Sequence, residues 1–131
     1  MKDYSEKHGL FSMHELITTD LASAKEFYGG LFGWTFTETK TIHGNPYLLV
    51  HREGTIIGGM MLKDGNAPDD VIPCWDLYIT VDDVEASAEM VEKLGGEVIL
   101  PPTDVPNVGR FCVIKDPQGI GLNLISYFNN S

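Results

Sequence analysis

The 131-residue chain carries one unit twice. Asp20-Leu21, ahead of a helix-like run, is answered by Asp83-Val84 ahead of another, and 83 − 20 gives an offset of 63. The same offset lays Tyr47-Leu48-Leu49-Val50 on Arg110-Phe111-Cys112-Val113 and brings the run ending at Leu31 onto the run ending at Leu94. A repeated unit of this size cannot bury its apolar face alone, so its copies are expected to pack together. The chain therefore reads as a single domain, 1–131, made of two modules at 10–63 and 74–128.

Residues 11–18 form a short apolar stretch closed by Asp20, a natural N-cap. The helix behind it repeats Leu21, Ala24, Phe27, Tyr28 and Leu31 at helical spacing until Gly33 stops it. Extended pieces are predicted over 34–40, 45–52 and 55–62, separated by Gly44-Asn45-Pro46 and Glu53-Gly54. The unit is thus βαβββ, and the turn-rich run Asp64 to Asp70 is expected to join the copies. The second copy predicts a strand over 76–81 and then a helix opened by Asp82, with Glu85 three residues on in a capping-box arrangement. Val84, Ala88, Val91 and Leu94 give that helix its apolar face, and Gly95-Gly96 ends it. Strands over 97–100, 109–115 and 120–127 follow, broken by Pro101-Pro102 and by Asp116-Pro117-Gln118-Gly119. The order βαβββ-βαβββ defines an α+β class.

Charge narrows the partners. Nine basic against nineteen acidic residues leave a net −10, which opposes a phosphate-backbone partner. Cys74 and Cys112 sit among apolar residues outside any CxxC or disulfide framework, as suits a reducing compartment. No apolar run approaches the roughly 18 residues of a membrane span, and the polar start has no signal-peptide core. A cytoplasmic protein without nucleic-acid or membrane partners is expected.

Four segments then take on meaning together. Asp20-Leu21-Ala22-Ser23-Ala24-Lys25-Glu26-Phe27-Tyr28, Leu31-Phe32-Gly33-Trp34, Val81-Asp82-Asp83-Val84 and Asp116-Pro117-Gln118-Gly119 stand in order within the paired units. They resemble the vicinal oxygen chelate superfamily, which holds glyoxalases, bleomycin-resistance proteins and ring-cleaving dioxygenases. The resemblance implies two βαβββ modules forming a curved mixed sheet around a cleft that receives a small organic molecule. It also implies, for the family's enzymes, one divalent metal held by four cleft positions, two from each module. Carried over, the first-strand positions are Met13 and Asp76, again 63 apart. The last-strand position of the second module is Asn123, and its counterpart is Met60, or Gly59 if the turn differs by one. Zinc, nickel or ferrous iron wants three or four imidazole, carboxylate or thiolate donors. One carboxylate beside a thioether, an amide and a second thioether or glycine is a poor set. A divalent metal is therefore disfavoured, no metal ligand is assigned and no cofactor is expected.

The remaining candidates follow from strand periodicity. Glu15 lies two residues after Met13 and shares its face. Asp76, Tyr78 and Thr80 share the face that the resemblance assigns to the cleft, while Leu77, Ile79 and Val81 meet the helices. Glu15 and Asp76 are the candidate catalytic groups, as general bases beside a carbonyl-bearing ligand, with Tyr78 or Asn123 donating to a developing oxyanion. Met13, Tyr47, Trp75, Tyr78 and Asn123 are candidate ligand contacts, as is Met60, whose flexible thioether suits an adaptable pocket. Arg110 is a candidate anchor for an anionic ligand. His14-Glu15 does not begin a zinc-protease helix, because Thr18 stands where a second His is needed, and His14 reads as a packing residue. His43 reads as a turn residue and His51 as surface. Gly58-Gly59 reads as close packing inside a strand, and Cys112 as a buried, inert thiol. The expected function is glyoxalase- or bleomycin-resistance-like binding of a small molecule without the usual metal. The alternative is a metal-dependent lyase of glyoxalase type or a ring-cleaving dioxygenase with relocated ligands. A homodimer is compatible with exposed sheet edges.

Overall fold

The structure is a computed structural model that describes residues 7–41, 44–63 and 72–128. The expected connector from Asp64 to Asp70, His43 and the first six residues lie outside the described residues. The elements run β1 (Phe11–Thr18), α1 (Leu21–Phe32), β2 (Thr35–Lys40), β3 (Pro46–Arg52), β4 (Thr55–Leu62), β5 (Cys74–Thr80), α2 (Val84–Lys93), β6 (Glu97–Val105), β7 (Gly109–Lys115) and β8 (Gly121–Tyr127). This is the α+β order βαβββ-βαβββ. Contacts divide the chain into two compact units, one over 14–76 and one from 77 onward that also takes the residues up to 13. The first boundary falls inside β1 because the chain just before it belongs to the second unit. Gly9 N–H donates to Thr80 O at 2.7 Å, and Thr80 N–H donates to Leu10 O at 2.9 Å.

Both modules use one strand arrangement. The first orders its strands β2-β3-β4-β1 and the second β5-β8-β7-β6. In each, the opening strand runs parallel to the closing strand, β1 to β4 and β5 to β8, and the other pairs are antiparallel. A parallel pair needs a long crossover, and the helix with its two following strands supplies it. Each helix covers one face of its own sheet. Leu16, Ala24, Leu48, Val50 and Met60 form the first core, with Leu21, Tyr28, Trp34 and Phe36 packed against it. Val81, Val84, Ala88, Cys112, Ile114 and Leu124 form the second. Each large apolar side chain so buried contributes about 1.5–3 kcal/mol relative to exposure.

The caps follow the repeat. Asp20 Oδ1 accepts from Ser23 N–H at 3.0 Å, and Asp83 Oδ1 accepts from Ala86 N–H at 3.1 Å. The second cap is therefore Asp83, not the expected Asp82, whose own N–H donates to His8 Nδ1 at 2.9 Å. Gly33 ends α1 in the left-handed region, φ 73°, where a side chain would be strained. The prolines at 101 and 102 do not end the strand as expected. β6 continues to Val105 because it is the outermost strand of its sheet and is bulged, so a missing N–H can face outward.

Those bulges also change the offset between copies. The register irregularities lie between Val98 and Leu100 and between Leu100 and Thr103. Val84 answers Leu21 in the cores at an offset of 63. Phe36 pairs with Val50, and Val98 pairs with Ile114, so β6 enters at 62. Past its two extra residues the offset is 64: Leu48 is answered by Cys112, Val50 by Ile114 and Met60 by Leu124.

Candidate functional site

In the first module Leu16, Leu48, Val50 and Met60 point into the core under α1. Strand alternation then turns Glu15 on β1, Tyr47 and Leu49 on β3, and Gly59 on β4 to the opposite, helix-free face. Gly59 is the register partner of both Glu15 and Leu49. Across it, Tyr47 Oη donates to Glu15 Oε2 at 2.7 Å in a partly buried bond. A charge-assisted bond of this length, donated by the phenol, fixes the orientation of the carboxylate that accepts it. A Cβ on Gly59 would collide with Tyr47 Oη, so the missing side chain is what lets the phenol reach. Gly58 serves the other face, where a Cβ would come within 2.7 Å of His14 O. The paired glycines are thus close packing, as expected, with one of them shaping the site.

Other expected positions are redistributed. Met60 is fully buried in the core, not on the open face, and Gly59 holds the position its side chain was expected to fill. Trp75 also turns to the helix side. Its ring meets Tyr28 and Trp34 edge-on at 5.5 and 6.1 Å, and its Nε1–H donates to Tyr28 Oη at 3.2 Å. Asp76, on the opposite face of β5 from Trp75, accepts from the Cys74 thiol at 3.6 Å. Partial burial, and then the Asp76 charge, raise that thiol above its ordinary value. Met13 is half-buried on the same face of β1 as Glu15.

In the second module Tyr78 and Asn123 are register partners on the helix-free face. The Tyr78 ring lies 6.4 Å from that of Phe111, an aromatic contact that the 63-residue offset had hidden. Asn123 is buried and donates from Nδ2 to Leu77 O at 3.3 Å. Ile79 packs against the helix-side core and Val81 lies within it, as expected. Arg110 is on that helix side too. It is not placed to anchor an anion on the open face, because Glu85 holds its Nε and Asp104 holds its Nη1 at 2.9 Å. Asp104 first, and then Glu85, raise the guanidinium further above its ordinary value. His51 bonds Thr37 Oγ1 at 2.8 Å, and His14 is exposed.

Paired βαβββ modules define the fold, and the first of them carries an oriented carboxylate on a helix-free sheet face. The chain belongs to the Glyoxalase/Bleomycin resistance protein/Dioxygenase superfamily, whose pattern matches residues 11–124. It is 35% identical over 111 residues to Putative glyoxylase CFP32 of Mycobacterium tuberculosis (strain CDC 1551 / Oshkosh), covering 84% of this chain and 42% of that one. It is 32% identical over 116 residues to the anthracycline biosynthesis protein DnrV of Streptomyces peucetius, covering 80% and 42%. The chain thus spans about two fifths of the length of these relatives. Among solved structures, methylmalonyl-CoA epimerase from Mycobacterium tuberculosis superposes with a TM-score of 0.70 at 19% identity, covering 92% of this chain and 89% of that one. That likeness is one of fold.

The divalent metal of the family's enzymes finds a poor donor set in these residues. Met60 is in the core, Gly59 has no donor, Met13 offers a thioether and Asn123 an amide, which leaves Asp76 as the one carboxylate among the four positions. Among the described residues no three His, Cys, Asp or Glu side chains gather where they would hold an ion.

Proposed function

We propose that this protein binds a small organic molecule on the helix-free face of its sheet, with Glu15 and Tyr47 as the polar contacts, and does so without a divalent metal. The bond from Tyr47 to Glu15 across Gly59 carries this proposal. It is a partly buried polar pair held in one geometry on a face that no helix covers, the usual make-up of a small-ligand site. Membership of a superfamily named for glyoxalases, drug-resistance proteins and dioxygenases supports a small organic ligand. The mismatched donor set supports the metal-free part.

A second function is favoured by the same bond. A carboxylate oriented by a phenol is suited to take a proton from carbon next to a carbonyl, so Glu15 serves as general base if the ligand reacts. Thermal-shift screening of small molecules with EDTA present tests the proposal. Ligands that stabilise the wild-type chain should lose most of their shift with Glu15→Gln and with Tyr47→Phe. Ligands that bind only after nickel, zinc, manganese or ferrous iron is added would overturn the metal-free part. Turnover of a bound ligand by wild type but not by Glu15→Gln would establish the second function.

A further inference from the structure

The polar pair on the helix-free face of the first module has a counterpart on the same row of the sheet. Glu15 on β1 is the register partner of Gly59 on β4, Gly59 of Leu49 on β3, and Leu49 of Thr37 on β2. All four lie in the unit over 14–76, so the row belongs to one compact body. Two side chains of β3 lean onto it from opposite sides of Leu49. Tyr47, two residues before, crosses Gly59 to bond Glu15 at 2.7 Å. His51, two residues after, bonds Thr37 Oγ1 through Nε2 at 2.8 Å. Strand alternation puts Tyr47, Leu49 and His51 on one face, and the regular pairing of β3 with β2 keeps His51 there. One pole therefore sits over β4 and the other between β3 and β2, two strand spacings or roughly 10 Å apart. Half-buried Leu49 is the apolar floor between them.

The two poles differ in chemistry. A carboxylate only accepts, so the Glu15 end calls for a donor. The imidazole and the threonine hydroxyl spend one hydrogen on their mutual bond and, in either tautomer of the ring, retain one more to donate, so the far pole suits an acceptor. We propose that the ligand of this face is a long, narrow molecule with a hydroxyl or amine end against Glu15, a carbonyl end against His51 and Thr37, and flat apolar rings over Leu49. The proposal rests on the reading of Glu15 and Tyr47 above and adds the class of ligand. Polarity along the row also rejects alternatives. A carbonyl at the Glu15 end would set its oxygen against the carboxylate, and a molecule too short to span Leu49 would reach one pole alone.

Calorimetric titration of the full chain, with EDTA present, tests the proposal. The probe is the biphenyl that carries a para hydroxyl on one ring and a para acetyl on the other, beside two analogues that each lack one of those groups. His51→Ala and Thr37→Val should each weaken the full probe roughly threefold to tenfold, the worth of one hydrogen bond, and leave the analogue without acetyl unchanged. Glu15→Gln should weaken the full probe and the analogue without acetyl, but not the one without hydroxyl. A role in strand structure alone would move all three compounds together. Thr37 and His51 lie outside the core, and valine keeps the branched shape of threonine, so circular dichroism should show the variants folded. Loss at Glu15 without loss at His51 would overturn the second pole and leave the Glu15 reading standing. Loss at His51 without loss at Glu15 would overturn the spanning ligand through that reading. A wild type that binds none of the three compounds, or binds the full probe no more tightly than its analogues, would overturn the ligand class.

Discussion

Tyr47 reaches Glu15 only because position 59 carries no side chain, and that dependence can be measured. Gly59→Ala should push the phenol aside and cost about 1–3 kcal/mol in urea unfolding, the usual range for overpacking. Tyr47→Phe should cost only about 1 kcal/mol, the net worth of one hydrogen bond. Equal losses for the two variants would mean that the bond, not the crowding, sets the cost. Cys112 gives a pH prediction. Burial first, and then the charge of Glu85, raise its thiol above the ordinary 9.0. The folded chain therefore keeps this proton to higher pH than the unfolded chain does. The stability it contributes is whole below the unfolded-state value and is lost as pH rises through the folded-state value. The urea midpoint should fall above pH 9.0, with Cys74 acting in the same direction. Cys112→Ala should start about 1 kcal/mol lower and fall less.

At the level of elements, the helices were legible because their signals are local. Asp20, Gly33 and the spacing of Leu21, Ala24 and Tyr28 act within a few residues of one another. Asp82 and Asp83 stand side by side, and only the repeat at 63 separates cap from neighbour. Asp83→Ala should cost about 1 kcal/mol as a lost N-cap, and Asp82→Ala much less, in matched thermal melts. Strand register was less legible. A bulge is set by which side chains pair across strands, and no single segment carries that information. The offset is 63 at the helices, 62 on entering β6 and 64 past its two extra residues, and a one-residue slip from 63 to 64 turns every side chain to the other face. Met60 and Arg110 were both misplaced by this slip, and the pairing of Phe111 with Tyr78 was hidden by it. The position of Trp75 was lost for another reason. Its β5 segment turns it toward aromatic residues more than 40 positions away, which no local pattern announces.

For the whole molecule, the α+β class and the order of the ten elements among the described residues could be read in advance, since repetition and turn chemistry are written along the chain. Glu15 and Tyr47 could both be singled out in advance, but the bond between them and the glycine it crosses needed the register. Elemental analysis after exposure to nickel, zinc, manganese and ferrous iron, then desalting, should return far less than one ion per chain. A stoichiometric ion that is lost with Asp76→Ala would restore the family's metal to this member. The placement of its two tryptophans and its buried thiol gives the molecule separate reporters for its halves. Trp34 and Trp75 both belong to the unit over 14–76, whereas Cys112, with no exposed surface, belongs to the other. Emission in urea follows the first half, and the rate at which a thiol reagent reaches Cys112 follows the second, with exposed Cys74 reacting at once as an internal standard. If the two curves coincide, the repeated modules melt as one cooperative unit; if Cys112 becomes reactive while the tryptophan signal is still native, the duplication has left a protein that can open by halves.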